Sequence, residues 1–352
     1  MTNNTAQNAP KIKRESKNKI RVEFDRTPLL ERLKSRYLNL YTVGNVVWYI
    51  FRLLLLLGVS YVILFPFYSK IASSFMSPED FVDVTVRLIP KYPTLDTYKA
   101  IILENGYLSA LLNTFILAGS CALIQTFVCC VIGYGFAKFK FKFSGALFLL
   151  VIFTMIVPHS TLELAMFMEF RYFDILGIVN FLGGGVVDSV NILENTSINF
   201  INTYWPLWIL SATGLAFKNG LYIFLLRQFF KGVPDELEES AYVDGAGVFR
   251  TFVQIILPLS IPMLITVFMF SFSWQWTDNF YTEMFYTTSG PTLMPDVIAV
   301  PTSLNTTGAA SGLFQSAVMS TCGLLIILPL VLIYAFAQKY IVQGIERSGI
   351  TG

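Results

Sequence analysis

A chain of 352 residues that is 54% hydrophobic and only 14% charged, with a mean hydropathy of +0.60, is excluded from the ordinary soluble domains, where roughly 25% of residues are charged. Its net charge of +2 is too small for a nucleic-acid surface, so no nucleic-acid partner is expected. The charges fall between long apolar runs, which makes membrane lipid the expected surroundings.

The first 45 residues hold ten Lys and Arg, from Lys11 to Arg36, against four acids. Residues 1–26 have few apolar side chains and read as a solvated basic arm. From Thr27 to Tyr41, Leu30, Leu33, Tyr37 and Tyr41 recur at helical spacing with Arg32, Lys34 and Arg36 between them. That pattern predicts an amphipathic helix on the inner membrane surface, so 1–45 is a basic tail ending in an interfacial helix. No small-residue cleavage site follows a short apolar stretch, and no removable signal peptide is expected.

A spanning helix needs about 20 mainly apolar residues. The apolar runs give six predicted spans, near 46–69, 110–136, 144–166, 203–226, 257–279 and 315–337. The fourth is the weakest, because Trp205, Pro206 and Trp208 read as an interfacial start. Basic residues collect in the N-terminal tail and at Lys138, Lys140 and Lys142, whereas 278–296 has none. By the excess of cytosolic positive charge, both termini face the cytosol and the external segments are about 71–109, 167–202 and 280–314. The expected fold is an all-α, multi-pass integral membrane protein of a bacterial-type cell membrane. Its transmembrane domain covers 46–338, and 339–352 form a cytosolic tail. Cys121, Cys129, Cys130 and Cys322 lie inside apolar runs without metal-ligand spacing and read as small apolar fillers, so no metal is expected.

The cytosolic loop 232–258 differs from the others. Pro234, followed by Asp235, Glu236, Glu238 and Glu239, is a strong helix start. Gly245 and Gly247 end the helix, predicted over 234–244, and a second one begins near Val248. Leu237 and Ala241, with Ser240 and Asp244 at the edge, share one side. Five acids and no base stand between Pro234 and Gly247, on the side where basic residues are favoured. Ser240, Ala241, Gly245 and Ala246 are small enough for a partner surface to approach closely. The residues alone leave open a docking helix or a solvated loop whose acids cap a helix.

Other candidates concern a solute path. His159 lies four residues before Glu163, so in a continuous helix both project from one face, and an intramembrane ionisable pair is a site for solute or gating contact. Counting along the third span puts Glu163 near the external interface, where it needs no special role. Trp274, Trp276, Phe280 and Tyr281 form an aromatic cluster, able to stack on sugar rings or to act as an interfacial belt. Pro158 and Pro262 read as kinks. No GxxxxGK[ST] phosphate loop and no HExxH pair occurs, so the chain is not expected to be an enzyme or to bind a cofactor itself.

Glu239-Ser240-Ala241, then Gly245 after three residues, then Ile255-x-Leu257-Pro258 after nine more, resembles the EAA motif of binding-protein-dependent ABC transporter permeases. With Asp244-Gly245-Ala246 it is most similar to the carbohydrate-uptake, maltose-type branch. Ser240 stands where the motif has its first Ala and keeps the position small. The resemblance covers most of 46–352. It includes Ile89-Pro90-Lys91-Tyr92-Pro93-Thr94-Leu95, Asn113-Thr114, Tyr134 to Lys138, Leu226 to Phe230 and Trp274-Gln275-Trp276. The tail from Tyr340 resembles the maltose-type tail that inserts between ATPase subunits, with Gln343, Gly344 and Gly349 as contacts. The long N-terminal tail and an insertion at about 181–202 depart from the family pattern.

The resemblance implies an ATP-driven importer subunit whose Glu239, Ser240, Ala241, Asp244, Gly245 and Ala246 couple it to a motor. The implied partners are a second permease, two ATPase subunits carrying ATP and Mg, an extracytoplasmic solute-binding protein, and a mono- or oligosaccharide solute. The alternative from another class is a secondary transporter driven by an ion gradient, with His159 and Glu163 in its pathway.

Overall fold

The computed structural model describes residues 12–15, 19–22, 40–174, 198–216, 218–287, 290–305 and 311–349, of which 12–15, 19–22, 40–43 and 344–349 are described by backbone alone. Contacts divide the chain into two compact units, Met1–Ser69 and Lys70–Gly352. The division falls inside the first apolar helix.

In the first unit β1 (Ile12–Glu15) and β2 (Lys19–Val22) pair antiparallel, Ile12 opposite Val22 and Glu15 opposite Lys19. The fold is therefore nearly, and not wholly, α-helical, and part of the expected solvated arm is a hairpin. Ile20 and Val22 alternate with Lys19 and Arg21, a period of two over four residues that is too short to stand out among charges. The predicted amphipathic helix lies outside the described residues as far as Asn39. Helix α1 (Leu40–Ser74) then runs for 35 residues, and its side chains from 44 to 68 are all exposed.

The second unit holds α2 (Asp96–Glu104), α3 (Tyr107–Lys138), α4 (Ser144–Ile156), α5 (Glu163–Arg171), α6 (Trp205–Thr213), α7 (Asn219–Lys231) and α8 (Glu236–Val243), then α9 (Val248–Trp276), α10 (Phe280–Phe285) and α11 (Ser311–Gly349). Among the described residues four helices are long and apolar enough to cross a membrane: Gly44–Ser74 within α1, α3, α9, and Ser311–Gln343 within α11. A fifth candidate is α4 with the His159–Arg171 segment, bent by 91°. Val157 and Pro158 are extended between the two halves, and Pro158 supplies no N–H to carry the helix on.

The predicted fourth span is two helices, α6 of 9 residues and α7 of 13, each too short alone. Gly214 (φ 75) closes α6 in the left-handed region, with Leu215 and Ala216 both donating to the Leu210 carbonyl, and Lys218 (φ 72) opens α7. The polar run Lys218-Asn219-Gly220 coincides with this second break.

Helix α3 is the hub, packed on α6, α7 and α9, and α9 packs in turn on α11. A Cβ at Gly133 would stand 2.9 Å from the Leu226 Cβ and 3.1 Å from the Arg227 backbone nitrogen, so only glycine permits the α3–α7 approach. Gly133→Leu should destabilise the protein by about 1–3 kcal/mol, seen as a lower unfolding temperature in detergent. Polar side chains link the helices as well. Ser271 Oγ donates to Gln125 Oε1 at 2.7 Å, and Gln125 Nε2 donates to Ser211 Oγ at 3.1 Å, joining α9, α3 and α6 through buried groups.

Pro329 inside α11 cannot donate to the Leu325 carbonyl, which instead accepts from Tyr107 Oη at 3.0 Å. One residue on, the Ile326 carbonyl accepts from Trp276 Nε1 at 2.9 Å. Trp276 is 1% exposed and packs in that core. The four cysteines are buried and unbridged.

Candidate functional site: the helix beneath the bundle

The loop between α7 and α9 is anchored before it begins. Leu226, Phe229 and Phe230 on α7 and Val233 beyond it are buried together with Tyr134 of α3 and Ile256 of α9. The amides of Glu238 and Glu239 bond the Asp235 carbonyl, each at 3.0 Å, so α8 starts at Glu236, two residues after the predicted Pro234. At the other end the Ala246 amide reaches the Ala241 carbonyl at 2.9 Å and the Gly245 amide reaches that of Tyr242 at 3.0 Å. With Gly245 at φ 81 this is a complete Schellman cap, the turn the glycine was expected to make. Thr251 then fastens back to Gly247 through its amide (2.9 Å) and its hydroxyl (3.1 Å), and α9 follows. Over Phe252–Ile256 the winding of α9 loosens to π, just ahead of Pro258, which has no N–H for the Gln254 carbonyl.

Two polar contacts hold α8 to the end of α3. Lys138 Nζ donates to the Asp235 carboxylate at 2.6 Å and to the Val233 carbonyl at 2.7 Å, and its side chain is only 7% exposed. Tyr134 Oη donates to Glu238 Oε1 at 3.2 Å. The inward stripe is thus Glu238 and Ala241, both buried, whereas Leu237 is 39% exposed. This corrects the expected face: Ala241 packs within its own chain and offers no surface to a partner. Sequence spacing permits either stripe, and the choice is made by the polar ends of Tyr134 and Lys138. Facing away from the bundle are Glu239, Ser240, Asp244 and Gly245, with Val243 at 88% and Phe249 at 80% exposure, while Ala246 is half-buried.

The hydrogen bond from Lys138, and then its charge, hold the Asp235 carboxyl below its ordinary value of 3.8. A depressed carboxyl stabilises fully above its unfolded pKa and loses that contribution only as pH falls through the folded value. The clasp should therefore be indifferent to pH between about 5 and 8. Amide exchange across 236–246 should accelerate in Lys138→Met and stay unchanged over that pH range in the parent chain.

The C-terminal candidates lie on the last turns of α11, which runs unbroken through the expected tail boundary at 338 and 339. Gln343 is exposed there, and Gly344 and Gly349 are helical.

The solute-path candidates separate. His159 begins a 3₁₀ turn (His159–Leu162) and Glu163 begins α5, so the two do not share one continuous α-helical face. His159 lines a cavity of about 350 Å³, and Glu163 is exposed and outside that lining. The same cavity is lined by Lys218, whose Nζ stands 4.7 Å from the ring centre of half-exposed Trp274. The His159 ring meets Tyr281 edge-on at 6.3 Å. Sequence reasoning missed Lys218, which looks like an ordinary loop cation, and read Asp235 and Glu238 only as a helix start, without their contacts to Lys138 and Tyr134.

Apolar helices of spanning length mark a multi-pass membrane protein. The family model described as "Binding-protein-dependent transport system inner membrane component" matches residues 130–347, more than half of the chain, and the chain belongs to that family. It is a transport component and not an enzyme.

Among curated relatives, the chain is 28% identical over 319 residues to the galactooligosaccharides transport system permease protein GanQ of Bacillus subtilis (strain 168), covering 86% of this chain and 95% of that protein. It is 24% identical over 307 residues to the polygalacturonan/rhamnogalacturonan transport system permease protein YtcP of the same organism, covering 84% and 96%. The fold is similar to a chain in the crystal structure of a bacterial ABC transporter involved in the import of the acidic polysaccharide alginate, with a TM-score of 0.62, 16% identity and coverage of 84% and 97%.

Proposed function

We propose that the chain is one permease subunit of an ATP-driven importer of mono- or oligosaccharides, and that α8 is the lever joining it to a separate ATPase. One observation carries this reading. A capped, acidic helix is clasped to α3 by Lys138 and Tyr134, and it still presents Glu239, Ser240 and Val243 outward, with Phe249 exposed nearby at the start of α9. A solvated loop has no use for two exposed apolar side chains, and a docking surface does.

In this reading α8 sits in a groove of an ATPase subunit, Glu239 accepts hydrogen bonds or an ion pair there, and Gly245 supplies the turn. When two ATPases close on ATP and Mg, α8 is carried with them. The clasp passes the motion to α3, and the π turn of α9 gives way, so the path opens by rigid-body movement. Counting the two broken segments as one span each gives six spans with both termini cytosolic. The exposed flank of α1 meets lipid or the second permease. An extracytoplasmic binding protein delivers the solute, and the last turns of α11, with Gln343, Gly344 and Gly349, reach between the ATPases. The saccharide class is supported by the similarity to permeases of galactooligosaccharide and polygalacturonan/rhamnogalacturonan transport systems.

ATP-dependent accumulation of a saccharide panel in proteoliposomes holding the full complex and its binding protein tests the solute. Uptake of at least one saccharide is expected. Active ATPase with no saccharide accumulated would remove the carbohydrate part of the reading.

A further inference from the structure

The cavity of about 350 Å³ is drawn from both helix breaks at once, from around Pro158 on one side and from Gly214 to Lys218 on the other. Backbone that leaves the helix at membrane depth is tolerated only where protein buries it or where it lines a cavity. Paired broken helices around such a cavity are how transporters build solute sites. The size lies within the usual range for small-molecule pockets, about 300–1,000 Å³.

Its chemistry is specific. The wall is mostly apolar, with Lys218 and His159 as the basic residues that line it. Lys218 is set by a left-handed backbone (φ 72), so its direction is imposed by the break and not by helix geometry. Its ammonium stands 4.7 Å from the Trp274 ring centre, and Trp274 and Tyr281 line a separate small polar recess with Gln125, Gln275 and Asp278. On its far side the cavity is sealed tightly: a Cβ at Gly220 would lie 2.7 Å from Met155 Cγ and 2.9 Å from the Val151 carbonyl oxygen. An apolar pocket with aromatic rings beside it and a fixed cation suits a ring-shaped solute bearing an anionic group.

We infer that this cavity is a solute subsite within this subunit and that it recognises an anionic group on the solute, a carboxylate or a phosphate, through Lys218 and His159. The inference rests on the solute-permease reading above and gives it a substrate class. Lys218 supplies the charge that selects, His159 adds a donor from the opposite break, and Trp274 and Tyr281 stand beside the site through their contacts with Lys218 and His159.

The test measures ATP-driven uptake by the reconstituted full complex with three probes: trigalacturonate for a carboxylate, sn-glycerol 3-phosphate for a phosphate, and galactotriose as the neutral control. At least one anionic probe should be favoured over galactotriose by about tenfold, and which one it is identifies the anion. Lys218→Met should lower that anionic-to-neutral ratio by about tenfold, and Lys218→Arg should retain it. Should Lys218→Met fail to assemble, His159→Gln carries the test and must lower the same ratio.

Good uptake of galactotriose with no anionic preference would overturn the inference and leave the saccharide importer standing. Equal loss of anionic and neutral uptake in Lys218→Met, or no change in their ratio, would show Lys218 to be a structural prop on Trp274 and would also overturn it. Uptake of none of the three by a complex that hydrolyses ATP would remove the inference together with the saccharide reading.

Discussion

Glu239→Lys should cut solute uptake about 100-fold or more while leaving the protein folded in the membrane. Glu239 lies on the outward face of α8, away from the Glu238–Tyr134 bond, so the substitution breaks no contact that holds the helix to its own bundle. It reverses a charge at the proposed ATPase surface, where a like-charge meeting costs several kcal/mol, and that is the source of the large effect. Co-purification of the ATPase with the tagged permease measures the loss directly, alongside uptake. Glu238→Lys is the informative contrast. Glu238 is buried against Tyr134, so this change should damage the permease itself, lowering its yield and unfolding temperature together with uptake. If Glu239→Lys keeps both the ATPase and its transport rate, α8 is not the docking element.

The second large effect is on stability. Trp276→Ala should cost about 3–5 kcal/mol. The side chain is wholly enclosed among Phe272, Met294, Val297, Phe314 and Cys322, and its removal leaves a cavity at the junction of α9 and α11. It also removes the N–H that serves the Ile326 carbonyl. Trp276→Phe keeps most of the volume and loses the bond, and should cost about 1 kcal/mol. Trp274→Ala, at a half-exposed ring, should change stability far less and uptake more. Unfolding temperatures of the three variants in one detergent separate the packing residue from the one beside the cavity. Equal losses for Trp274→Ala and Trp276→Ala would contradict this division.

These two tryptophans illustrate what could be read before the fold was known. Both belong to one aromatic cluster in the sequence, and only the turn of α9 decides that one faces α11 and the other faces Lys218. The ends of α8 were legible because capping is local chemistry: Gly245 takes a left-handed turn, and Asp235 and its neighbouring acids open a helix. Its inward face was not, since Leu237–Ala241 and Glu238–Ala241 are equally good helical stripes. What chooses between them is Tyr134 and Lys138, about a hundred residues earlier in the chain.

The spans show the same division. Their apolar runs were plain, and Pro158 marked the break in the third. The break in the fourth lies at Gly214 and Lys218, and the polar Lys218-Asn219-Gly220 there was absorbed into an otherwise apolar run. The cavity formed by the two breaks was therefore out of reach, and His159 was paired with Glu163, which is adjacent in sequence, when its neighbours in space are Tyr281 and the Lys218 break.

The central claim is that a helix beneath the membrane connects this subunit to a motor on other polypeptides. Reconstituting the permease pair in liposomes with and without the ATPase subunits, binding protein and ATP, and following labelled solute, tests it most directly. Accumulation against a gradient only when ATPases and ATP are present is the predicted result. Accumulation driven by the permease alone under an ion gradient would contradict it.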